Sequence, residues 1–450
     1  MKAYYSIYQR RLMHPTRIVV LGFVCAIMAG TLLLMLPLAS ASGEPAPVLT
    51  AFFTAVSAVC VTGLVIVDTG TYWTFWGQLV ILVLFQLGGF GIMTAATLLG
   101  LMVNRSLRLK TRLIAQTETH TISGGDLRAT FKVVLLTTLA MEAIASIVLV
   151  TLFYTQYHES FTGALWDGVF HALSAFNNAG FALYPDGLTR FGTHFLFLLP
   201  IMVAIVVGGL GFPVFLDLRE WFIRRRALSL HSKITLSGTA ALLVFGTLSI
   251  LAFEWNNPAT LGPMSFLDKF ESALFASVSA RTAGFNTIDI GALEHETWAV
   301  HFFLMFVGGG SAGTAGGVKV GTFFILMLLV WAEVRGRRDV EAFGRRIGQP
   351  VQREAITVLV LGSACVVIGT FVLLSTTVFP TDQVIFEVIS AFATVGLSTG
   401  ITGDLPGIAQ ITLAVLMIVG RVGTMTVAAA LAASSLSRRY RYPEERPIVG

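Results

Sequence analysis

The stretch Ser174-Ala-Phe-Asn-Asn-Ala-Gly180-Phe181 closes a short apolar segment, and three other stretches of the chain follow the same plan. They are Ser57-Ala-Val-Cys-Val-Thr-Gly63-Leu64, Val278-Ser-Ala-Arg-Thr-Ala-Gly284-Phe285 and Ser390-Ala-Phe-Ala-Thr-Val-Gly396-Leu397. A Phe stands ten residues before the Gly in the first, second and fourth copies, at Phe53, Phe170 and Phe386. In the third copy the Ser279-Ala280 pair sits one residue nearer the Gly. One such pattern carries no weight. Four copies spaced by about 110 residues mark an internal repeat.

Working outward, each stretch ends an apolar piece at roughly residues 48–60, 164–177, 266–281 or 383–393, too short to cross a hydrocarbon core about 30 Å thick. Longer apolar runs flank these pieces. Runs such as 19–38, 79–103 and 358–374 have no polar face, which excludes a soluble protein of amphipathic helices. Composition agrees, with 55% of the 450 residues hydrophobic and only 12% charged, where soluble domains carry roughly 25%. The first apolar run lacks a small-residue cleavage site and reads as a span, not a signal peptide. Cys25, Cys60 and Cys365 are scattered, with neither disulfide nor metal-ligand spacing. The fold class that follows is an all-α polytopic membrane protein. Four span–pore-helix–span repeats, eight spans in all, stand in pseudo-fourfold arrangement around one pore. The repeats occupy residues 1–110, 111–230, 231–340 and 341–450, the last with a C-terminal tail.

Charge orients this arrangement. Of the 30 basic residues, 25 fall in five segments, represented by Arg10, Arg108, Arg225, Arg338 and Arg439. The alternate connections keep only Arg190 and Lys269 and are acidic, with Asp68, Glu159, Asp186, Asp289, Glu294, Glu296 and Asp404 among their residues. The basic segments, and with them both termini, are therefore cytoplasmic, as in a multi-pass protein of a bacterial inner membrane. The net charge of +5 thus reflects topology and implies no nucleic-acid partner. An acidic outer face also raises the local cation concentration.

Non-helical backbone at membrane depth is tolerated only where protein buries it or water lines it. A half-helix descending from outside aims its partially negative C-terminal end at the membrane centre, where it stabilises a cation. The extended strand that follows offers carbonyl oxygens in place of the ion's hydration shell. Glycine can adopt the left-handed dihedrals that turn those carbonyls to an axis. Four glycines, one per repeat, make one ring.

With these residues in view, the chain resembles the Trk/Ktr/HKT superfamily of potassium transporters, and within it the KtrB-type membrane subunits. The stretches Asn177-Asn178-Ala179-Gly180-Phe181 and Arg281-Thr282-Ala283-Gly284-Phe285-Asn286 carry the likeness most visibly, and it extends over all four repeats. TrkH-like members have two further N-terminal spans, whereas the first repeat begins here by about residue 17, which points to the KtrB type. The resemblance implies a potassium-selective ion-translocating subunit whose filter binds potassium at four segments. They are Cys60, Val61, Thr62 and Gly63; Asn177, Asn178, Ala179 and Gly180; Arg281, Thr282, Ala283 and Gly284; and Ala393, Thr394, Val395 and Gly396. It implies potassium as substrate, leaves sodium open, and implies no organic cofactor in this chain. One Gly per segment, in place of the Gly-Tyr-Gly of potassium channels, predicts weaker selectivity over sodium. The implied partners are a KtrA-like cytoplasmic RCK ring binding ATP or ADP, a second copy in a homodimer joined partly through the 442–450 tail, and membrane lipid. No inner segment is long enough to hold a nucleotide-binding domain of its own.

The second span of each repeat carries a glycine cluster 24–28 residues after the filter Gly, starting at Gly88, Gly208, Gly308 and Gly420. In the third repeat it swells to Gly308, Gly309, Gly310, Ser311, Ala312, Gly313, Thr314, Ala315, Gly316 and Gly317. Each Gly in a helix interior costs about 1 kcal/mol relative to Ala, so this span breaks at mid-membrane and its loop enters the path below the filter. In the resembling family this loop is the gate. For the first two repeats a close-packing glycine seam competes with a break. The Gly308, Gly310, Gly313 spacing also matches a dinucleotide fingerprint, which the absence of a preceding strand excludes.

Lys319 follows the loop and either bonds its carbonyls or approaches the inner mouth. Arg421 replaces the second glycine of the fourth cluster, and a mid-span Arg costs about 2.5–3.5 kcal/mol, so it faces the pore near the loop. Glu142 reads as a packed, partnered carboxyl, and Arg281 as a brace behind the filter. The competing class is a cation-coupled secondary transporter, driven by sodium or protons, whose marks are inverted repeats and midplane carboxylates. These four repeats run in one direction and their loops lack acids. No His pair or Ser-His arrangement supports an enzyme.

Overall fold

The computed structural model describes residues 15–91, 127–157 and 160–423. Among these residues the chain is helical apart from its loops and one two-residue hairpin, β1 (Glu341–Ala342) and β2 (Arg345–Arg346). A Phe343-Gly344 turn joins the hairpin strands, with φ of 50° and 72°, the positive values that suit tight antiparallel connections. Residues 1–14 and 92–126, with most of the first two basic segments, and the 442–450 tail expected at a dimer interface lie outside the described residues.

Four times in chain order a long apolar helix precedes a shorter buried one and then a further apolar helix. The long helices are α1 (Pro15–Leu34), α4 (Leu127–Gln156), α8 (Leu230–Glu254) and α12 (Gln349–Thr376). The short ones are α2 (Val48–Val59), α5 (Phe161–Asn177), α9 (Phe266–Ser279) and α13 (Thr381–Phe392). The third set comprises α3 (Phe75–Gly91), α6 (Phe195–Leu210) with α7 (Phe212–Arg224), α10 (His295–Phe306) with α11 (Val320–Val334), and α14 (Gly407–Ile418). Among the described residues, 135–156, 230–254 and 349–376 are helices long and apolar enough to cross a membrane, and α6 with α7 passes the same test as a bent pair.

The start of each short helix is written locally. Ser160 Oγ accepts from Gly163 N at 3.1 Å and Ser265 Oγ from Asp268 N at 3.3 Å, both N-caps that satisfy a free amide of the first turn. Pro47 and Pro380 stand at the corresponding positions before α2 and α13. Each short helix buries nearly all of its C-terminal half, with Phe53, Phe170, Phe275 and Phe386 at 0% exposure. The long helices do the opposite. Leu32, Ile147, Leu248 and Phe371 are more than half exposed, an apolar outer belt suited to lipid rather than water. The core clusters straddle neighbouring repeats: one joins residues of α1, α2 and α3 with residues of α12, α13 and α14.

The second repeat departs from a simple span. Its apolar run turns by 99° between α6 and α7, at Gly211, whose φ of 91° is closed to most side chains. For this repeat's glycine cluster the sequence leaves a break competing with a glycine seam, and the structure shows the break, at its last glycine. The glycine clusters of the first, second and fourth repeats prove to be packing surfaces as well. A Cβ on Gly88, Gly208 or Gly420 would strike the carbonyl of Val59, Phe176 or Phe392, the last turn of the short helix in the same repeat.

Candidate functional site

Residues far apart in sequence meet where the four short helices end. The C-terminal turn of each is closed by one shared bond. The residue before the glycine donates its N–H to a serine carbonyl: Thr62 to Ser57, Ala179 to Ser174 and Val395 to Ser390, each at 2.8 Å, and Ala283 to Ser279 at 2.9 Å. The one-residue offset of Ser279 is absorbed, and the four strands leave their helices alike.

Two backbone positions per strand take positive φ. The glycines do so, at 85° for Gly63, 70° for Gly180, 79° for Gly284 and 94° for Gly396. So do Val61, Asn178, Thr282 and Thr394, two residues earlier, with φ between 50° and 71°. Left-handed backbone costs a residue with a Cβ roughly 1–2 kcal/mol, and Val61, Thr282 and Thr394 are β-branched. Strain concentrated at one place in four copies marks a functional constraint. Sequence reading named these residues as part of the site but not their conformation, because β-branched types ordinarily argue against it.

The glycines close a ring. A Cβ added to Gly63 would strike the carbonyl oxygen of Ala179, on Gly180 that of Ala283 at 2.8 Å, on Gly284 that of Val395, and on Gly396 that of Thr62. Each repeat therefore touches the next in the order first, second, third, fourth and back to first. All four glycines line a cavity of about 160 Å³, whose wall includes Asp68, Asn286 and Ser398.

Not every side chain of the four segments faces this ring. Asn177 turns away and donates through Nδ2 to Gln86 Oε1 at 2.7 Å and to Glu142 Oε1 at 3.1 Å. Gln86 in turn donates to both oxygens of Glu142, at 2.8 and 2.9 Å. Glu142 is thus the packed, partnered carboxyl its position in α4 suggested. Arg281 is buried and reaches back, its Nη2 donating to the Gly308 carbonyl at 3.3 Å and to Thr239 Oγ1 at 3.4 Å. It ties the third strand to the start of the glycine-rich loop, the bracing position that its sequence context indicates.

The loop between α10 and α11 holds residues 308–317 in non-helical backbone, and it is nearly all buried. Its amides and carbonyls are met by the second repeat's corner: Gly310 N donates to Gly209 O at 2.7 Å, Thr314 N to Gly208 O at 3.2 Å, and Phe212 N to Ala312 O at 3.3 Å. Thr314 Oγ1 also donates to Phe176 O at 3.3 Å, at the end of α5. On the fourth repeat's side, Gly316 leaves no room for a Cβ against Ala393 O and Thr394 Oγ1. Two cations converge on the loop. Lys319 Nζ donates to Ala315 O at 2.5 Å and to Gly316 O at 3.3 Å, and Arg421 Nη1 donates to Thr314 O. Arg421 stands in a π-helical turn, Val419–Gly423, that continues α14. Such turns are frequent at functional sites.

Residues 2–439 match the TrkH family of cation transport proteins. The chain is 37% identical over 436 residues to the Ktr system potassium uptake protein B of Bacillus subtilis, covering 97% of each chain. It is 34% identical over 447 residues to the potassium/sodium uptake protein NtpJ of Enterococcus hirae, covering 98% of each. The structure is similar to that of the potassium transporter TrkH from Vibrio parahaemolyticus, with a TM-score of 0.70 at 19% identity, over 94% of this chain and 85% of that one. By sequence and by fold the chain belongs to the TrkH family of cation transport proteins, which are ion transporters and not enzymes.

Proposed function

We propose that this chain is the ion-conducting subunit of a potassium uptake system, with channel-like permeation through the ring of Gly63, Gly180, Gly284 and Gly396. The observation that carries the reading is the closure of that ring, each glycine against the preceding carbonyl of the next repeat. Carbonyls gathered at the ends of four half-helices suit a dehydrated monovalent cation. In this reading α1, α4, α8 and α12 cross the membrane, as do α3, the α6–α7 and α10–α11 pairs and α14, and the termini are cytoplasmic. The potassium uptake named for the Bacillus subtilis relative supports potassium as the substrate. That named for the Enterococcus hirae relative supports sodium as a second permeant.

The 308–317 loop is the gate, held beneath the filter by Arg421 and Lys319. The exposed basic residues around the β hairpin, among them Arg338, Arg345 and Arg346, suit docking of a separate cytoplasmic ring that binds ATP or ADP and moves the gate. A homodimer with one pore per protomer completes the assembly. The test is flux through vesicles containing purified protein, with potassium and sodium gradients imposed separately. Rubidium should enter down a potassium gradient or a membrane potential with no sodium or proton gradient present. Uptake that strictly requires such a gradient makes the chain a coupled transporter instead.

A further inference from the structure

In two of the four repeats the residue nine positions before the glycine, buried in the short helix, holds the backbone amide three positions after the glycine, and in the other two the residue at that position does not. In the fourth repeat Glu387, nine residues before Gly396, is fully buried. Its Oε1 accepts from Thr399 N at 3.0 Å, Ser398 Oγ at 2.7 Å and Thr399 Oγ1 at 3.3 Å, and its Oε2 accepts from Thr402 Oγ1 at 2.7 Å. In the second repeat His171, nine residues before Gly180, is also fully buried. Its Nε2 accepts from Leu183 N at 3.3 Å while its Nδ1 faces the Asp167 carbonyl at 2.7 Å. A carbonyl only accepts, so Nδ1 carries the proton and Nε2 is the free acceptor. Thr399 and Leu183 each stand three residues after their glycine. One backbone amide, three residues past the ring, is therefore held from the same helical position by different chemistry.

The equivalent positions in the first and third repeats are Thr54 and Phe275. Thr54 Oγ1 is buried with no hydrogen-bond partner among the described residues, and Phe275 has no polar atom to offer. The ring order places the second and fourth repeats opposite each other. Ser174 and Ser279 hold the carbonyl directly after the glycine, Phe181 O and Phe285 O, in the second and third repeats. At the amide three residues past it, however, the cavity has two held walls facing across two that are not, and Ser398, held by Glu387, lines it.

We infer that Glu387 and His171 are positioning residues that set the ring's outer carbonyl geometry from two opposite sides, and so set its discrimination between potassium and sodium. The inference rests on the conduction reading above. Glu387 collects four hydrogen bonds where His171 accepts one, so the fourth repeat carries more of the effect than the second. Thr54, lacking a partner, carries none.

The experiment measures rubidium uptake into vesicles by wild type, Glu387→Ala, Glu387→Gln, His171→Leu and Thr54→Val, normalised to inserted protein. The half-saturating potassium concentration and inhibition by sodium are read apart from the maximal rate. Glu387→Ala should raise half-saturation about tenfold or more and weaken potassium-over-sodium preference in step. Glu387→Gln, which keeps one acceptor oxygen, should fall between it and wild type, by about threefold. His171→Leu should shift in the same direction by less than Glu387→Ala, and Thr54→Val should match wild type. Where Glu387→Ala yields no folded protein, Glu387→Gln decides. The inference is overturned if the folded Glu387 variants keep wild-type half-saturation and preference, or change only the maximal rate. A Thr54→Val shift equal to theirs overturns it too. A Gly284→Ser variant run alongside separates the two levels: lost selectivity there with intact Glu387 variants removes this inference alone, and intact selectivity in both removes the conduction reading.

Discussion

Arg421 Nη1 donates to the carbonyl of Thr314, joining the fourth repeat to the middle of the third repeat's loop across 107 residues of chain. Its Nε and Nη2 are buried with no partner among the described residues, so this one bond is the direct protein contact of a desolvated cation. Lys319, on the same loop, holds the two carbonyls that follow. A positive charge here fastens the loop and, in the proposed gating, opposes a cation coming down from the ring.

Arg421→Ala, or deletion of residues 311–316, should therefore raise rubidium flux and make it less dependent on the cytoplasmic partner. A charge-assisted bond contributes about 1.5–3 kcal/mol, which sets the scale at roughly tenfold to a hundredfold in the open population. Vesicle uptake with and without the partner measures it. A folded deletion variant that conducts no better than wild type makes the loop a packing element.

Substitution of the ring glycines should be graded rather than uniform. Gly180 leaves the widest gap, since its added Cβ lies 2.8 Å from the nearest atom, the Ala283 oxygen, and the other three would come closer still. Gly180→Ser should therefore retain the most potassium uptake and Gly396→Ser the least. Complementation of an uptake-deficient strain across limiting potassium ranks them. Wild-type growth and selectivity in all four single variants would falsify the filter assignment.

Glu142→Leu should destabilise the protein through the second repeat. It removes the acceptor of the Gln86 amide, while Asn177 keeps Gln86 Oε1 and Leu173 O, and a buried amide left unpaired costs about 1–3 kcal/mol. Thermal unfolding in detergent should fall well below wild type, with Glu142→Gln closer to it. An unchanged midpoint for Glu142→Leu would mean that water replaces the carboxyl.

Gly211→Ala should loosen the loop from the other side. At φ 91° an alanine is strained, and its Cβ would crowd Ser311 O and lie 3.1 Å from Gly313 N. The strain is of order 1–3 kcal/mol, and the gating reading turns it into higher basal rubidium flux. Gly22→Ala is the control, because a Cβ there meets nothing within 4 Å. It should leave flux unchanged and stability equal or slightly improved. Equal effects from both changes would detach the corner from the gate.

What the sequence by itself determined is what depends on local composition and run length. The short helices were legible because 12–17 apolar residues ending at a glycine cannot span a bilayer. The break at 308–317 was legible because six glycines among small residues cannot hold a helix. Glu142 and Arg421 stood out because charge at membrane depth needs a reason. The tertiary structure alone decided the partners: that Arg421 meets Thr314, that Asn177 turns to Glu142, and that Gly63 abuts the second repeat while Gly396 abuts the first. It also decided the left-handed backbone of Val61, Thr282 and Thr394 and the corner at Gly211. These depend on contacts between residues tens to hundreds of positions apart. No periodicity of the chain encodes them, since they are set by contacts made only once the folded chain brings these residues together.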